Sequence, residues 1–177
     1  VNDASETSEG HGWWRRAAYR GPRFDDLHEG FAKRHRIDPH APLTSSSEID
    51  IARPVDVVWS VLADPLRWPS WAPHTRDVRL EAPVAVDVPF VWTLGAVRIH
   101  ATLAVVAPGR ELSWTGAAMW TRAVDRNALT ARGDGTTRLL FEESLSGVGV
   151  PLLYSRRRLR RQHEAWLSAV KAAAEAR

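Results

Sequence analysis

A chain of 177 residues, 44% hydrophobic and 25% charged, lies in the range of an ordinary globular domain, and that length favours a single one. With no cysteine it can hold no disulfide, thiolate metal site or cysteine nucleophile, and no run approaches the roughly eighteen apolar residues of a membrane span. A net charge of +3 without a reading motif argues against a nucleic-acid partner, and the polar opening lacks a signal-peptide pattern, so a cytoplasmic protein is expected.

Arginine supplies nearly all the positive charge, since only Lys33 and Lys171 of the 24 basic residues are lysines. That bias fits the codon usage of a GC-rich bacterial genome better than a nucleic-acid surface. Nine tryptophans suggest either indole walls for a bulky apolar guest or a Trp-rich core.

Residues 1–12 are rich in Ser, Glu, Asp and Gly and read as disordered. Trp13, Trp14 and Tyr19 interrupt an arginine-rich segment that ends at Gly21-Pro22. A short helix is expected over 25–36, with Phe24, Leu27 and Phe31 on one side, followed by a linker containing Pro39 and Pro42. An extension over residues 1–43 is too small to fold alone. Its aromatics need a host, either this domain near a cavity mouth or a second copy of the chain in a homodimer.

From Thr44 the pattern alternates, with Ser47, Ile49 and Ile51 on one face of a strand. Pro54 opens a helix through Val57, Val58, Val61 and Leu62, which ends before Pro65. Leu66 to Trp71 adds a helical turn that carries Trp68 and Trp71. Strands are then expected over 75–86, 89–94, 97–106, 110–117, 121–131 and 137–146. Gly95-Ala96 closes one hairpin, matching Phe90, Trp92 and Leu94 with Val97, Ile99 and Leu103. Another hairpin closes across 132–135.

A single helix is expected from Pro151 to the end, about 39 Å long at 1.5 Å per residue. Its apolar stripe would be Leu152, Leu159, His163, Trp166, Val170 and Ala173, while Arg157, Arg158, Arg160 and Arg161 face water. Strands segregated from a terminal helix give an α+β domain over 44–177, with a seven-stranded curved antiparallel sheet around the long helix. A cavity between sheet and helix is expected.

Alternation places Ala123, Asp125, Asn127 and Leu129 on one face of the sixth strand, and Leu139, Phe141, Glu143 and Leu145 on one face of the seventh. If those faces are concave, Asp125 and Glu143 lose solvation and could serve as general acid and base, although a single bulge would reverse the assignment. His163 on the helix stripe could move a proton or be a satisfied core histidine. Arg156 could reach inward to an anionic oxygen. Trp59, Trp68, Trp71, Trp92, Trp114, Trp120 and Trp166 are the candidate walls, with Asn127 and Phe141 beside them. His28, His35 and His40 are too loosely spaced for a metal signature. Gly133 to Gly135 is a turn rather than a phosphate loop, and nothing calls for a nucleotide, flavin or haem cofactor.

Five segments in order resemble the START-like, helix-grip superfamily (SRPBCC proteins), nearest its polyketide cyclase/dehydrase and lipid-transport branch. They are the run from Ile49 to Trp71, Phe90-Val-Trp92, the stretch from Pro108 to Gly116, Gly135-Thr-Thr-Arg138, and Glu142-Glu-Ser144 before Gly147. The resemblance spans about residues 44–175. It implies a cavity for a hydrophobic small molecule and a cofactor-independent cyclase, dehydratase or isomerase of a polyketide-like intermediate, or alternatively a non-catalytic carrier or sensor of a lipid-like or aromatic ligand. Related sequences often carry a histidine where this chain has Asp125, and they usually lack the extension over 1–43.

Overall fold

The computed structural model describes residues 17–177. The disorder read for residues 1–12, and Trp13 and Trp14, lie outside the described residues. The fold is α+β: seven antiparallel strands form one sheet in the order β1-β7-β6-β5-β4-β3-β2. The strands are β1 (Leu43–Ile51), β2 (Thr75–Leu80), β3 (Pro89–Leu94), β4 (Val97–Ala107), β5 (Glu111–Ala118), β6 (Thr121–Ala131) and β7 (Thr137–Ser146). The helices are α1 (Phe24–Gly30), α2 (Val55–Leu62), α3 (Val150–Leu153) and α4 (Arg156–Glu175). Among the described residues no helix is long and apolar enough to cross a membrane.

Local chemistry sets most of these limits. Gly95, at φ 61°, supplies the left-handed residue that the two-residue turn between β3 and β4 needs. That hairpin pairs Leu94 with Val97 and Trp92 with Ile99, but Phe90 opposes Ala101, while Leu103 pairs with Trp114 on the next strand. β2 ends at Leu80 instead of continuing to Val86, because Pro83 cannot donate to a ladder. α2 crosses from the β1 edge of the sheet toward the β2 edge, and the 3₁₀ segment Pro65–Ser70 after it delivers Trp68 to the core.

The expected single terminal helix is two helices. Gly149, at φ 76°, precedes α3, which stops at Tyr154; the Ser155 hydroxyl then accepts from the Arg158 N–H at 3.2 Å and caps α4. Leu152 therefore falls out of phase with Leu159 and is 62% exposed. Leu159, His163, Leu167, Val170 and Ala174 form the buried stripe instead, over a helix of about 30 Å.

Trp68 anchors the main core. It is fully buried, its N–H donates to the Leu62 carbonyl at 3.0 Å, and its ring meets Trp92, Trp114 and Trp166 at centroid distances of 6.0, 5.3 and 5.2 Å. A second cluster lies on the other side of the sheet, where Leu27 and Ala32 pack with Ala104 and Val124. The expected helix over 25–36 is thus α1 plus a 3₁₀ turn (Ala32–Arg34), docked on the outer face and away from the cavity mouth. Among the described residues, the chain before α1 meets the mouth at Ala17, whose carbonyl accepts a backbone hydrogen bond from the Gly149 N–H at 2.8 Å.

Candidate functional site

A cavity of about 410 Å³ opens between the inner face of the sheet and α4. β6 and β7 pair without a register shift, so the alternation read from sequence survives. Asp125 opposes Glu143 and Ala123 opposes Leu145, and all four line the cavity. Asn127 opposes Phe141 one step deeper.

Asp125 and Glu143 are two acids on neighbouring strands with one face between them. Asp125 is half-buried, and burial drives its carboxyl well above the usual carboxylate range, with the nearby Glu143 adding to the rise. The Trp114 indole opposite Asp125 partly counteracts that rise, although its N–H completes no hydrogen bond of good geometry. Glu143 has a partner: its Oε2 lies 3.0 Å from His163 Nε2, on an imidazole that is 1% exposed. That ring lies over Phe141 at 4.2 Å, and its Nδ1 is buried without a partner among the described residues. The arrangement sets an acid whose proton burial helps to hold beside a Glu143–His163 hydrogen bond, two groups of the kinds that general acid–base chemistry uses.

Trp92, Trp114, Trp120, Phe141 and Trp166 line the cavity, with the 47% exposed Trp120 at its mouth. The other proposed wall residues do not reach it. Trp68 stands behind the wall, and Trp59 and Trp71 pack against the core from α2 and the 3₁₀ segment. Asn127 is fully buried outside the lining; its Oδ1 accepts from the Trp166 indole N–H at 3.0 Å, while its Nδ2 has no partner among the described residues. Arg156 is exposed and lies outside the lining, because Ser155 restarts the helix and turns that position to solvent.

Sequence reasoning missed Tyr154, Arg158 and Gln162, which line the cavity between α3 and α4. Tyr154 donates a hydrogen bond to the Gln162 amide oxygen, and the Arg158 guanidinium lies 4.7 Å from the Tyr154 ring centroid. The signal was present as the four-residue spacing of 158, 162 and 166, a stripe beside the buried one. Elsewhere His28, Glu29 and Asp87 gather their ligand atoms within 4.8 Å. Lys33 already donates to Glu29 at 2.7 Å and to Asp87 at 3.0 Å, so an ammonium fills the place a metal would need.

Sheet, gripping helix and lined cavity together define a helix-grip protein of the START-like superfamily. The family described as "Polyketide cyclase / dehydrase and lipid transport" matches residues 42–175, and the chain belongs to it. Solved structures agree on the fold. A hypothetical protein from Helicobacter pylori is 17% identical with a TM-score of 0.70, covering 89% of this chain and 96% of its own. A START superfamily protein from Mycobacterium smegmatis is 13% identical with a TM-score of 0.65, over 75% of this chain and 97% of its own. An aromatase/cyclase from a Streptomyces species is 18% identical with a TM-score of 0.59, over 76% and 94%. No curated protein matches the sequence.

Proposed function

We propose that the chain binds a hydrophobic small molecule between its sheet and α4 and catalyses a cofactor-independent cyclisation, dehydration or isomerisation of a polyketide-like intermediate. The observation that carries this reading is the convergence of Asp125 and Glu143 from the sheet and His163 from α4 on a cavity whose walls are largely indole and aliphatic. Two acids set across a strand pair in a half-buried face cost stability, and a fold that needed only to hold an apolar guest would gain by replacing them. The indoles restrict the guest, Asp125 protonates a developing oxyanion or leaving hydroxyl, and Glu143 with His163 removes a proton from carbon. The aromatase/cyclase neighbour supports the same class of reaction.

A carrier or sensor is the second reading, favoured by the family's lipid-transport description and by the indole-rich wall. Native mass spectrometry of the purified chain identifies the guest, and single-turnover assays on it separate the two readings. For the enzyme, Asp125→Asn and Glu143→Gln each lower turnover by about 10²- to 10⁴-fold with little change in Kd. A guest released chemically unchanged by the parent chain refutes catalysis and leaves the carrier.

A further inference from the structure

Five exposed large apolar side chains ring the cavity mouth. Met119 (81% exposed) and Trp120 (47%) tip the turn between β5 and β6, Val148 (51%) follows β7, and Leu152 (62%) and Leu153 (64%) lie on α3. Met119, Trp120 and Leu153 also line the cavity, so its entrance lies within the patch. Scattered exposed hydrophobes need no explanation, but a cluster from three separate segments around one opening does. Met119 even adopts φ 54°, a left-handed conformation that ordinary side chains seldom take.

Arginine surrounds this patch. Arg20 and Arg122 share a surface dimple with Trp120 and Val148. From Ser144 to His163 the chain has five arginines and no acid. Arg156, Arg157 and Arg158 occupy the first turn of α4, the positive end of its dipole, where no acidic residue offsets them. Arg20, Arg156 and Arg157 are exposed, and among the described residues they and the half-buried Arg122 form no ion pair. The sequence before Ala17 is Trp13-Trp14-Arg15-Arg16, and Ala17 is fixed beside the patch through Gly149.

We infer that this face docks on an anionic lipid bilayer, with the apolar tips entering the headgroup layer, the arginines pairing with lipid phosphates, and the cavity mouth opening onto the membrane surface. Bulky apolar tips rimmed by arginine, with tryptophan next in sequence, match the chemistry of an interface that is apolar inside and anionic at its edge. An apolar guest would then pass between bilayer and cavity without crossing water. The docking does not depend on the chemistry proposed for Asp125 and Glu143.

The test is co-sedimentation of the full chain, without added guest, on vesicles about one-third phosphatidylglycerol in phosphatidylcholine at about 0.1 M salt. Binding is expected, and it should weaken on pure phosphatidylcholine and at high salt. The triple substitution Arg20→Gln, Arg156→Gln and Arg157→Gln should lower the partition coefficient on the order of 100-fold. Val148→Ser with Leu152→Ser should lower it on the order of tenfold. None of these five residues packs in the core, and circular dichroism checks that each variant is folded. A full chain left in the supernatant overturns the proposal, as does binding that ignores the Val148/Leu152 pair, which would mark a purely electrostatic contact. Capture by an acidic protein without vesicle binding also overturns it and assigns the face to that partner. Vesicle binding retained by Asp125→Asn while turnover is lost would show that docking and catalysis stand or fall separately.

Discussion

Arg126 and Glu142 oppose each other on the outer face of β6 and β7, one residue from Asp125 and Glu143 on the inner face. Outside, opposite charges meet at 2.6 Å, and the same guanidinium reaches the buried Glu111 at 3.1 Å. Glu111 also accepts from the Ser113 hydroxyl at 2.7 Å. Nearby, buried His28 joins Thr115 at 3.2 Å and Asp87 at 2.8 Å, and Lys33 and His28 hold the Asp87 carboxyl below its usual range. Inside, acid faces acid, and the N–H groups of Trp92 and Trp114 are buried without partners among the described residues. One face of the sheet satisfies its polar groups as a stable fold requires. The other leaves them poorly compensated, the pattern expected where selection has acted on chemistry rather than stability.

The comparison can be broken from its packing first. Trp68→Ala removes the indole on which three wall indoles rest and should cost about 4 kcal/mol, read by urea denaturation. A loss below about 1 kcal/mol would mean the inner wall stands without it. On the outer face, Arg126→Ala leaves the half-buried Glu142 without its cation and the buried Glu111 with only the exposed His35 at 3.2 Å, and should cost about 3 kcal/mol. His28→Ala strands the Thr115 hydroxyl and loosens α1, for about 2 kcal/mol, seen also as faster amide exchange over 24–34.

The smallest effect has the opposite sign. Burial and Glu143 raise the Asp125 pKa in the folded chain, so the folded state holds a proton that the unfolded state releases. Stability then falls as pH rises from the ordinary aspartate range toward the raised folded value. Asp125→Asn cannot ionise and should raise Tm by roughly 3 °C near neutral pH, with a difference that vanishes in acid. Thermal scans across pH measure it. A variant less stable than the parent at neutral pH would put Asp125 with the satisfied polar groups of the outer face.

Much of this contrast was legible in the sequence where a period governs the side chains. Two-residue alternation on β6 and β7 put Asp125 and Glu143 inward, and no bulge intervened to reverse it. Helical spacing put His163 on the buried stripe. What failed depended on a single residue or on depth. Ser155 caps a new helix, so the phase counted from Pro151 carried Leu152 and Arg156 to the wrong side. Depth has no periodic signature at all: Trp68 and Trp92 are both apolar and inward, yet one supports the wall and the other is part of it. Asn127 was inward too, but its hydrogen bond to Trp166 depends on a helix brought from a distant part of the chain.

The ring of indoles around Trp68 has an optical consequence. Trp114 and Trp166 lie 6.4 Å apart and Trp71 and Trp166 5.1 Å apart, close enough for their electronic transitions to mix into delocalised bands. The far-ultraviolet dichroism of the chain should therefore carry a signed couplet, from the intense indole band, set by the mutual tilt of these chromophores. A molecule wedged against Trp92, Trp114 or Trp166 would alter that tilt, so the spectrum reports occupancy without any label.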